Sequence, residues 1–344
     1  MSITVIKPGL LSTVQDLGRY GHQHLGVSPG GAMDGRAHRL ANLIAGNSDD
    51  QASLEVTLSG PVLRFDAACG IAISGATLSP TLNDKPVPNN RPLVVRAGDT
   101  LAFGARKAGV RAYVAVHGGL DIAPVMGSRS TYLRGGFGGL DGRALKKGDV
   151  LPLRKRIQPD DDAALEALAQ GLWGIVLYLP AVLGFMPRND IRIIPGPHDG
   201  LFTPASIQKF LASEYIVDTR SDRMGYRLDG PALSFSEPVQ LLSEVTSFGT
   251  IQVPQDGMPI VLMADRQTTG GYAKFAHVIS VDLPLLAQIM PGEAIRFHTV
   301  DLETAERLDL QREEAFNRLS QHLPEVRRLL EQACADRETP TAAR

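Results

Sequence analysis

The segment ADRQTTGGY, Ala264 to Tyr272, sets Asp265, Arg266, Gln267, Thr268 and Thr269 in one polar run directly after the apolar run MPIVLMA. That pattern predicts a buried strand leaving into a glycine loop. Side chains at a strand end are held rigidly, so Asp265 could act as a base or orient a donor, and Arg266 could clamp an anion. Gln267, Thr268 and Thr269 could hydrogen-bond a polar substrate, while Gly270 and Gly271 would let backbone N–H groups approach it. A turn whose Asp and Thr cap their own backbone is the alternative. Five consecutive polar residues exceed what such a turn requires.

Three further segments carry polar groups among glycines. STVQDLGRYGHQHLGVSPGGAMD, from Ser12 to Asp34, reads as a long loop bearing Gln15, Asp16, Arg19, Tyr20, His22 and His24, and long ordered loops are often functional. His22 and His24 could share a metal on a strand, yet no third ligand stands at a telling distance and neither HExxH nor CxxC occurs, so no metal site is expected. Asp34 is explained by capping the helix that follows. TRSDRMGYRLDGP, from Thr219 to Pro231, holds Arg220, Arg223 and Arg227 with Tyr226, enough guanidinium to grip a carboxylate or phosphate, or simply solvated arginines. The run from His117 to Gly139 adds Arg129, Ser130 and Thr131, with His117 read as a core histidine. It has neither GxGxxG nor GxxxxGK[ST], and no GxSxG elbow is present, so neither a nucleotide site nor a serine nucleophile follows from pattern.

The elements that must position these groups are short. Thirty-five Gly and 23 Pro in 344 residues favour many strands joined by turns over a long-helix bundle. A helix is predicted from Asp34 through Ala37, Leu40, Ala41 and Ile44 to Gly46, on i, i+3, i+4, i+7 spacing. From Ser53 to Leu153 the pattern is β: LEVTLSG, VLRF, GIAISGATL, LVVRAGDTLAF, RAYVAVHGG. LRKRIQPDDD reads as a linker, and Asp160 to Asp162 open a short helix ended by Gly171. Strands then resume (GIVLYLP, DIRIIPG), with a helix opened by Thr203-Pro204 and another at Asp282 to Met290. Two amphipathic helices rich in Glu and Arg follow Asp301, and residues beyond Arg337 read as frayed. GPVLRF (60–65) echoes GPALSF (230–235), and RAGDTLAF (96–103) echoes MPGEAIRF (290–297), which suggests duplicated β-lobes.

Thirty-five basic against 37 acidic residues give a net charge of −2, so no global field recruits nucleic acid or an anionic membrane. The charge-free stretch from Ala167 to Pro187 is broken by glycines and prolines, against a membrane span. Two cysteines, Cys69 and Cys334, and no leader pattern at MSITVIKPGL lead to the expectation of a reduced, cytoplasmic protein.

The strings PGLLSTVQDLGRYGHQHLGVSPGGAMDGRAHRLANLIAGN, GSRSTYL, SDRMGYRLDGP and GTIQVPQDGMPIVLMADRQTTGGYAKFAHVISVDLPLLAQIMPGEAIRF together resemble the KipA-type family. Its members are also called allophanate hydrolase subunit 2, the C component of 5-oxoprolinase or urea-carboxylase-related carboxyltransferase lobes. The resemblance covers roughly residues 3 to 300 in order. It implies a β-rich α+β fold of two cyclophilin-like β-barrel lobes with short helices and a helical C-terminal tail. The expected domains are 1–155, with the glycine-rich loop and helix 35–45, then 165–300, then the tail 301–344. The resemblance also implies companions: a KipI-type protein (the B component of 5-oxoprolinase) and a LamB-type subunit, which with this family open the lactam of 5-oxo-L-proline to glutamate at the expense of ATP. ATP is then used by the complex.

Two alternatives stay open. One is a carboxyltransferase lobe for urea or another amide, with biotin on a separate carrier because this chain has no AMKM-like lysine; the other is an antagonist that binds a KipI-type kinase inhibitor. Both the lactam and urea contain a planar amide, and the residues expected to serve it are Asp265, Gln267, Thr268 and Tyr272 as catalytic groups. Arg223, Tyr226, Arg19, Asp16, Thr269, Gly270, Gly271 and Arg129 are expected to bind substrate, in a cleft completed by the KipI-type partner.

Overall fold

The computed structural model describes residues 1–158, 161–175, 177–184 and 188–336. The chain forms two units: Met1–Leu17 with Gly35–Leu179 and the chain from Phe316 on, and Gly18–Asp34 with Pro180–Ala315. This division departs from the expected domains twice. Residues 18–34 group with the second unit, and the tail is no separate domain, because its part from Phe316 on packs with the first.

The first unit is two antiparallel sheets over one core. One runs in the order Val150–Pro152, Ser2–Lys7, Val62–Phe65, Thr100–Phe103, Pro80–Leu82, Lys85–Pro86, and the other Leu11–Gln15, Ser53–Thr57, Ala108–Val116, Cys69–Thr77, Pro92–Val95. Alternation along Ala108–Val116 sends Ala112, Val114 and Val116 between the sheets, beside Ile3, Leu63, Phe65 and Ile73. The opposite face, with Arg111 and Tyr113, is also buried. Helix Gly35–Ile44 covers that face. A Cβ on Gly75 would meet the Arg111 carbonyl at 2.5 Å and the Ala37 methyl at 3.2 Å, so only glycine, at φ +85°, lets the helix approach. Helix Pro324–Ala333 also belongs here: Leu330 fills the place a Gly70 side chain would take. Lys155 Nζ donates to Glu331 at 2.5 Å, and Cys334–Asp336 pairs with Lys155–Ile157. Part of the expected linker is therefore strand; Pro159 and Asp160 lie outside the described residues.

The second unit is a closed seven-stranded barrel in the order Asp190–Pro195, Ala273–Val278, Thr250–Val253, Ile260–Leu262, Gly225–Asp229, Glu214–Val217, Ala294–Thr299. The last strand closes it parallel to the first. Its core is aromatic: Phe210, from helix Pro204–Ala212, lies 5.0 Å from the rings of Phe275, Phe297 and Tyr215. Burial of each such side chain stabilises by roughly 1.5–3 kcal/mol. Thr203 caps that helix as expected, accepting from the Ser206 N–H. Asp34, expected to cap the helix from Gly35, accepts from Gln288 Nε2 at 2.8 Å.

Some expected elements are shorter or different. The helix at 282–290 is confined to Leu283–Leu286. No strand forms among the described residues of 174–180, and Val176 lies outside them, as do the residues from Arg337 on that the sequence marks as frayed. Helices Leu302–His322 and Pro324–Ala333 are present, and the helix expected to end at Gly171 runs through it, Asp162–Trp173. No helix of the described residues is long and apolar enough to cross a membrane.

The sequence echo resolves into one turn used in both units. Gly98 and Gly292 both have φ near +90°, the value wanted at the third position of a type II turn. Each turn closes by the next residue's N–H on Arg96 or Met290, and the Asp99 or Glu293 carboxylate accepts the N–H of that same residue. Gly148 and Asp149 build a further copy. The other half of the echo has a different partner: Phe65 and Val217 meet these turns identically, so VLRF corresponds to EYIV (214–217) and not to ALSF.

His38 in the first helix is fully buried, its Nδ1 2.8 Å from Ser53 Oγ. Burial lowers its pKa from 6.5 to about 4, against the opposing pull of Asp16 and Glu55. The unfolded chain therefore binds a proton that the folded one refuses, and stability is lost as pH falls from 6.5 towards 4. The full effect is about 3 kcal/mol. In urea titrations the wild-type midpoint should fall across that window, and His38→Gln should fall less; identical pH profiles would refute the assignment.

Candidate functional site

The segment that ends strand Ile260–Leu262 lies beside residues 223–224, since Met263 and Asp265 N–H groups donate to the Met224 and Arg223 carbonyls. That pairing aligns two oppositely charged side chains. Arg223 Nε donates to Asp265 Oδ2 at 2.8 Å and Nη2 to Oδ1 at 3.0 Å, both residues being buried. The same Nη2 donates to the Gly31 carbonyl at 2.6 Å, and Ser28 Oγ donates to the Ala264 carbonyl at 3.2 Å. The loop 18–34 is thus clasped to the barrel, with Met33 in its core. Gly30, at φ +62°, has Asp265 Oδ1 3.4 Å from where a Cβ would stand, with Arg19 Nη1 at 3.8 Å. Arg19 is fully buried beside it.

A polar layer covers the outside of the barrel wall. In strand Thr250–Val253, Ile251 and Val253 enter the core while Thr250 and Gln252 face away, yet both are buried. Their cross-strand partners are His277 and Lys274. The cover is the short pair Glu244–Val245 with Thr269–Gly270, tied further by Thr246, whose N–H donates to the Thr268 carbonyl and whose hydroxyl donates to the Gln267 carbonyl. Gln267 Nε2 donates to Gln252 Oε1 at 3.1 Å. The other end of the Gln252 amide, Nε2, has no partner among the described residues, and the same is true of Arg266 Nε. Gln252 is 1% and Arg266 6% exposed. A Cβ on Gly270 would sit 2.8 Å from Gln252 Nε2, so a glycine is needed there for space.

Lys274 Nζ donates to Glu244 Oε2 at 2.6 Å. The Lys274 N–H donates to His198 Nδ1 at 3.1 Å, which fixes the proton of that ring on Nε2, 3.9 Å from the same carboxylate oxygen. The Lys274 ammonium holds the Glu244 carboxyl below the usual carboxylate range. Burial, then the Lys274 charge, lowers the His277 pKa, so this imidazole is neutral at pH 7 while its Nδ1 meets Thr250 Oγ1 at 3.2 Å.

The structure brings Asp265, Arg223, Gly31 and Arg19 together, and joins Gln267, Thr268, Thr269 and Gly270 to the layer. Gly271 lies against the 241–243 backbone, and Tyr272 is half exposed. Tyr226 is placed in the barrel core. Arg220 pairs with Asp218 at the surface and Arg227 is exposed. Asp16 and Arg129 belong to the first unit. There Asp16 accepts from Ser128 Oγ and Ser130 Oγ at 2.6 Å and from the Arg129 N–H at 2.5 Å, a carboxylate used to fold its own loop. His117 is a core residue as expected, bonded through Nδ1 to the Ala45 carbonyl. Sequence reasoning missed Gln252, Lys274, Glu244 and His198. For Gln252 and Lys274 the available signal was polar residues set within the otherwise apolar TIQV and AKFAHV. No group of three or more His, Cys, Asp or Glu among the described residues is arranged for a metal.

The carboxyltransferase domain, subdomain A and B, matches residues 25–299. The chain is 39% identical to the C component of 5-oxoprolinase from Escherichia coli, covering 93% of this chain and 98% of that one. It is 36% identical to the C component of 5-oxoprolinase from Haemophilus influenzae, covering 93% and 96%. The crystal structure of K. lactis urea amidolyase superposes with a TM-score of 0.81 at 32% identity over 92% of this chain, which spans 20% of that longer protein.

Truncating one partner of the clasp strands a buried charge. Asp265→Ala should destabilise by about 3–5 kcal/mol, read as a lower urea midpoint. The double variant Arg223→Met/Asp265→Leu should lose less than the two single changes summed. A wild-type midpoint in Asp265→Ala would show that the pair does not hold the loop.

Proposed function

The chain belongs to the carboxyltransferase subdomain A and B family, alongside the C components of known 5-oxoprolinases, and on that premise we propose that it is the C component of a 5-oxoprolinase. In this reading it works with KipI-type and LamB-type subunits in the cytoplasm and has little activity alone. The observation that carries the reading is the Gln252 amide, buried, half engaged by Gln267, with Arg266 Nε as a second buried donor.

Opening the lactam of 5-oxoproline breaks the ring C–N bond and adds the elements of water, leaving an amine and a new carboxylate. The amide resists because its nitrogen lone pair is delocalised onto oxygen, and attack concentrates negative charge on that oxygen. Donors already fixed in a site shielded from water stabilise this charge without reorganising, at about 2.7–4 kcal/mol for each well-placed donor. Gln252 Nε2 and Arg266 Nε are such donors. Gln267, whose nitrogen is spent on Gln252, leaves its carbonyl oxygen as the acceptor for the lactam N–H. Thr268 belongs to the same segment and Tyr272, half exposed, follows it, while Gly270 leaves room for the Gln252 amide itself. The Arg223–Asp265 clasp holds this segment in place.

ATP is consumed by the complex, and we assign its site to a companion protein because this sequence has no phosphate-loop pattern. The likeness to urea amidolyase supports a second reading, a carboxyltransferase lobe for urea or a related amide. The same donors suit a ureido oxygen. Biotin, carried on another chain, would then supply the carboxyl group.

Reconstitution separates the readings. Mixed with its two companions, 5-oxoproline and ATP, the chain should yield glutamate, and Gln252→Leu should lower turnover by about 10²–10³-fold while still binding its partners. No glutamate from a folded, complete set sinks the first reading, and labelled bicarbonate transferred to urea in a set with a biotin carrier supports the second.

A further inference from the structure

Two ion pairs on the barrel are built differently. Arg223 and Asp265 are both buried and bonded twice to one another. Lys274 is 8% exposed, yet the carboxylate it holds belongs to Glu244, whose side chain is 52% exposed. Withdrawing an ammonium from water is costly unless a counter-charge comes with it. Here that charge is supplied by a surface arm.

The arm is held by a short set of contacts. Its sheet contact is the two-residue pair with Thr269–Gly270, and isolated pairing of that length is marginal in water. Leu242 and Val245 are 88% and 67% exposed, which leaves Leu241 as the arm's one apolar side chain packed against the core. The Thr246 hydrogen bonds and the Glu244–Lys274 pair supply the rest. Lys274 itself is fixed on the wall, in register with Gln252.

We propose that Lys274 is the carboxylate-binding subsite of this centre, with His198 beside it, and that Glu244 is an internal ligand which the substrate carboxylate displaces. The proposal rests on the lactam-acid reading above. Glu244 already shows the geometry: one carboxylate oxygen lies 2.6 Å from Lys274 Nζ and 3.9 Å from His198 Nε2. Directly opposed residues on antiparallel strands have Cβ atoms about 5 Å apart. That is the scale separating the carbonyl oxygen of 5-oxoproline from its carboxylate, so one molecule can reach Gln252 and Lys274 together. Displacement transfers a counter-charge and leaves none unpaired; Glu244 moves to water and the 241–247 arm is released.

The test uses the full chain for hydrogen exchange and the reconstituted complex for kinetics. Without substrate, Glu244→Gln should raise exchange in residues 241–247 at least tenfold, and Glu244→Asp should restore part of the protection. In the complex, Glu244→Gln should lower KM for 5-oxoproline more than it changes kcat. Lys274→Met, which keeps the volume and strands no buried charge, should raise that KM at least tenfold and leave binding of the uncharged 5-oxoprolinamide unaltered. Wild-type exchange in Glu244→Gln, or a wild-type KM in Lys274→Met, overturns the proposal. Absence of glutamate from the wild-type set fails the functional reading instead, while the substrate-free exchange measurement still decides whether Glu244 latches the arm.

Discussion

Polar groups withdrawn from water on the outside of the second unit's barrel set the terms for the rest of that unit. The wall strand Thr250–Val253 has an apolar face for the core and a polar face that is buried as well. A buried amide, ammonium and imidazole each need partners or lose free energy. The covering segments supply Gln267 for Gln252 and Glu244 for Lys274, and the wall itself supplies Thr250 for His277. Gln252 Nε2 and Arg266 Nε stay without a partner among the described residues, which is the ground of the functional proposal.

The Arg223–Asp265 clasp serves the same layer from its other end. It stands at the start of the polar run, and its third bond, to the Gly31 carbonyl, fixes a loop drawn from far away in sequence. A bidentate pair between buried partners fixes angle as well as distance. Both oxygens of the Asp265 carboxylate are thereby engaged by Arg223. The first unit spends Asp16 in a similar way, on the hydroxyls of Ser128 and Ser130.

Between the units the shared device is small. A glycine at φ near +90°, followed by an acidic residue whose carboxylate closes the turn, occurs at Gly98, Gly148 and Gly292. Each presents one N–H and one carbonyl to a neighbouring strand. The turn is specified by backbone preference and one acidic side chain, so it does not depend on the side chains around it.

The sequence by itself determined what depends on near neighbours. Periodicity located the helix at Gly35–Ile44 and the strands Val62–Phe65 and Asp190–Pro195; Thr203-Pro204 marked a helix start; the apolar run before ADRQTTGGY marked the strand that segment leaves. These follow from alternation, caps and turn residues, whose energetics act over a few positions. The family came from the resemblance of whole strings along the chain, which no single local pattern contains. Only the tertiary structure decided that Gln252 stands opposite Lys274, that Asp265 is neutralised by Arg223, that residues 18–34 belong with the second unit and that the last helix packs on the first. The reason is physical: alternation tells which side chains share a face of a strand, but whether that face meets water, core or a covering arm is set by segments remote in sequence. The cost of burying a polar group depends on which of these it meets.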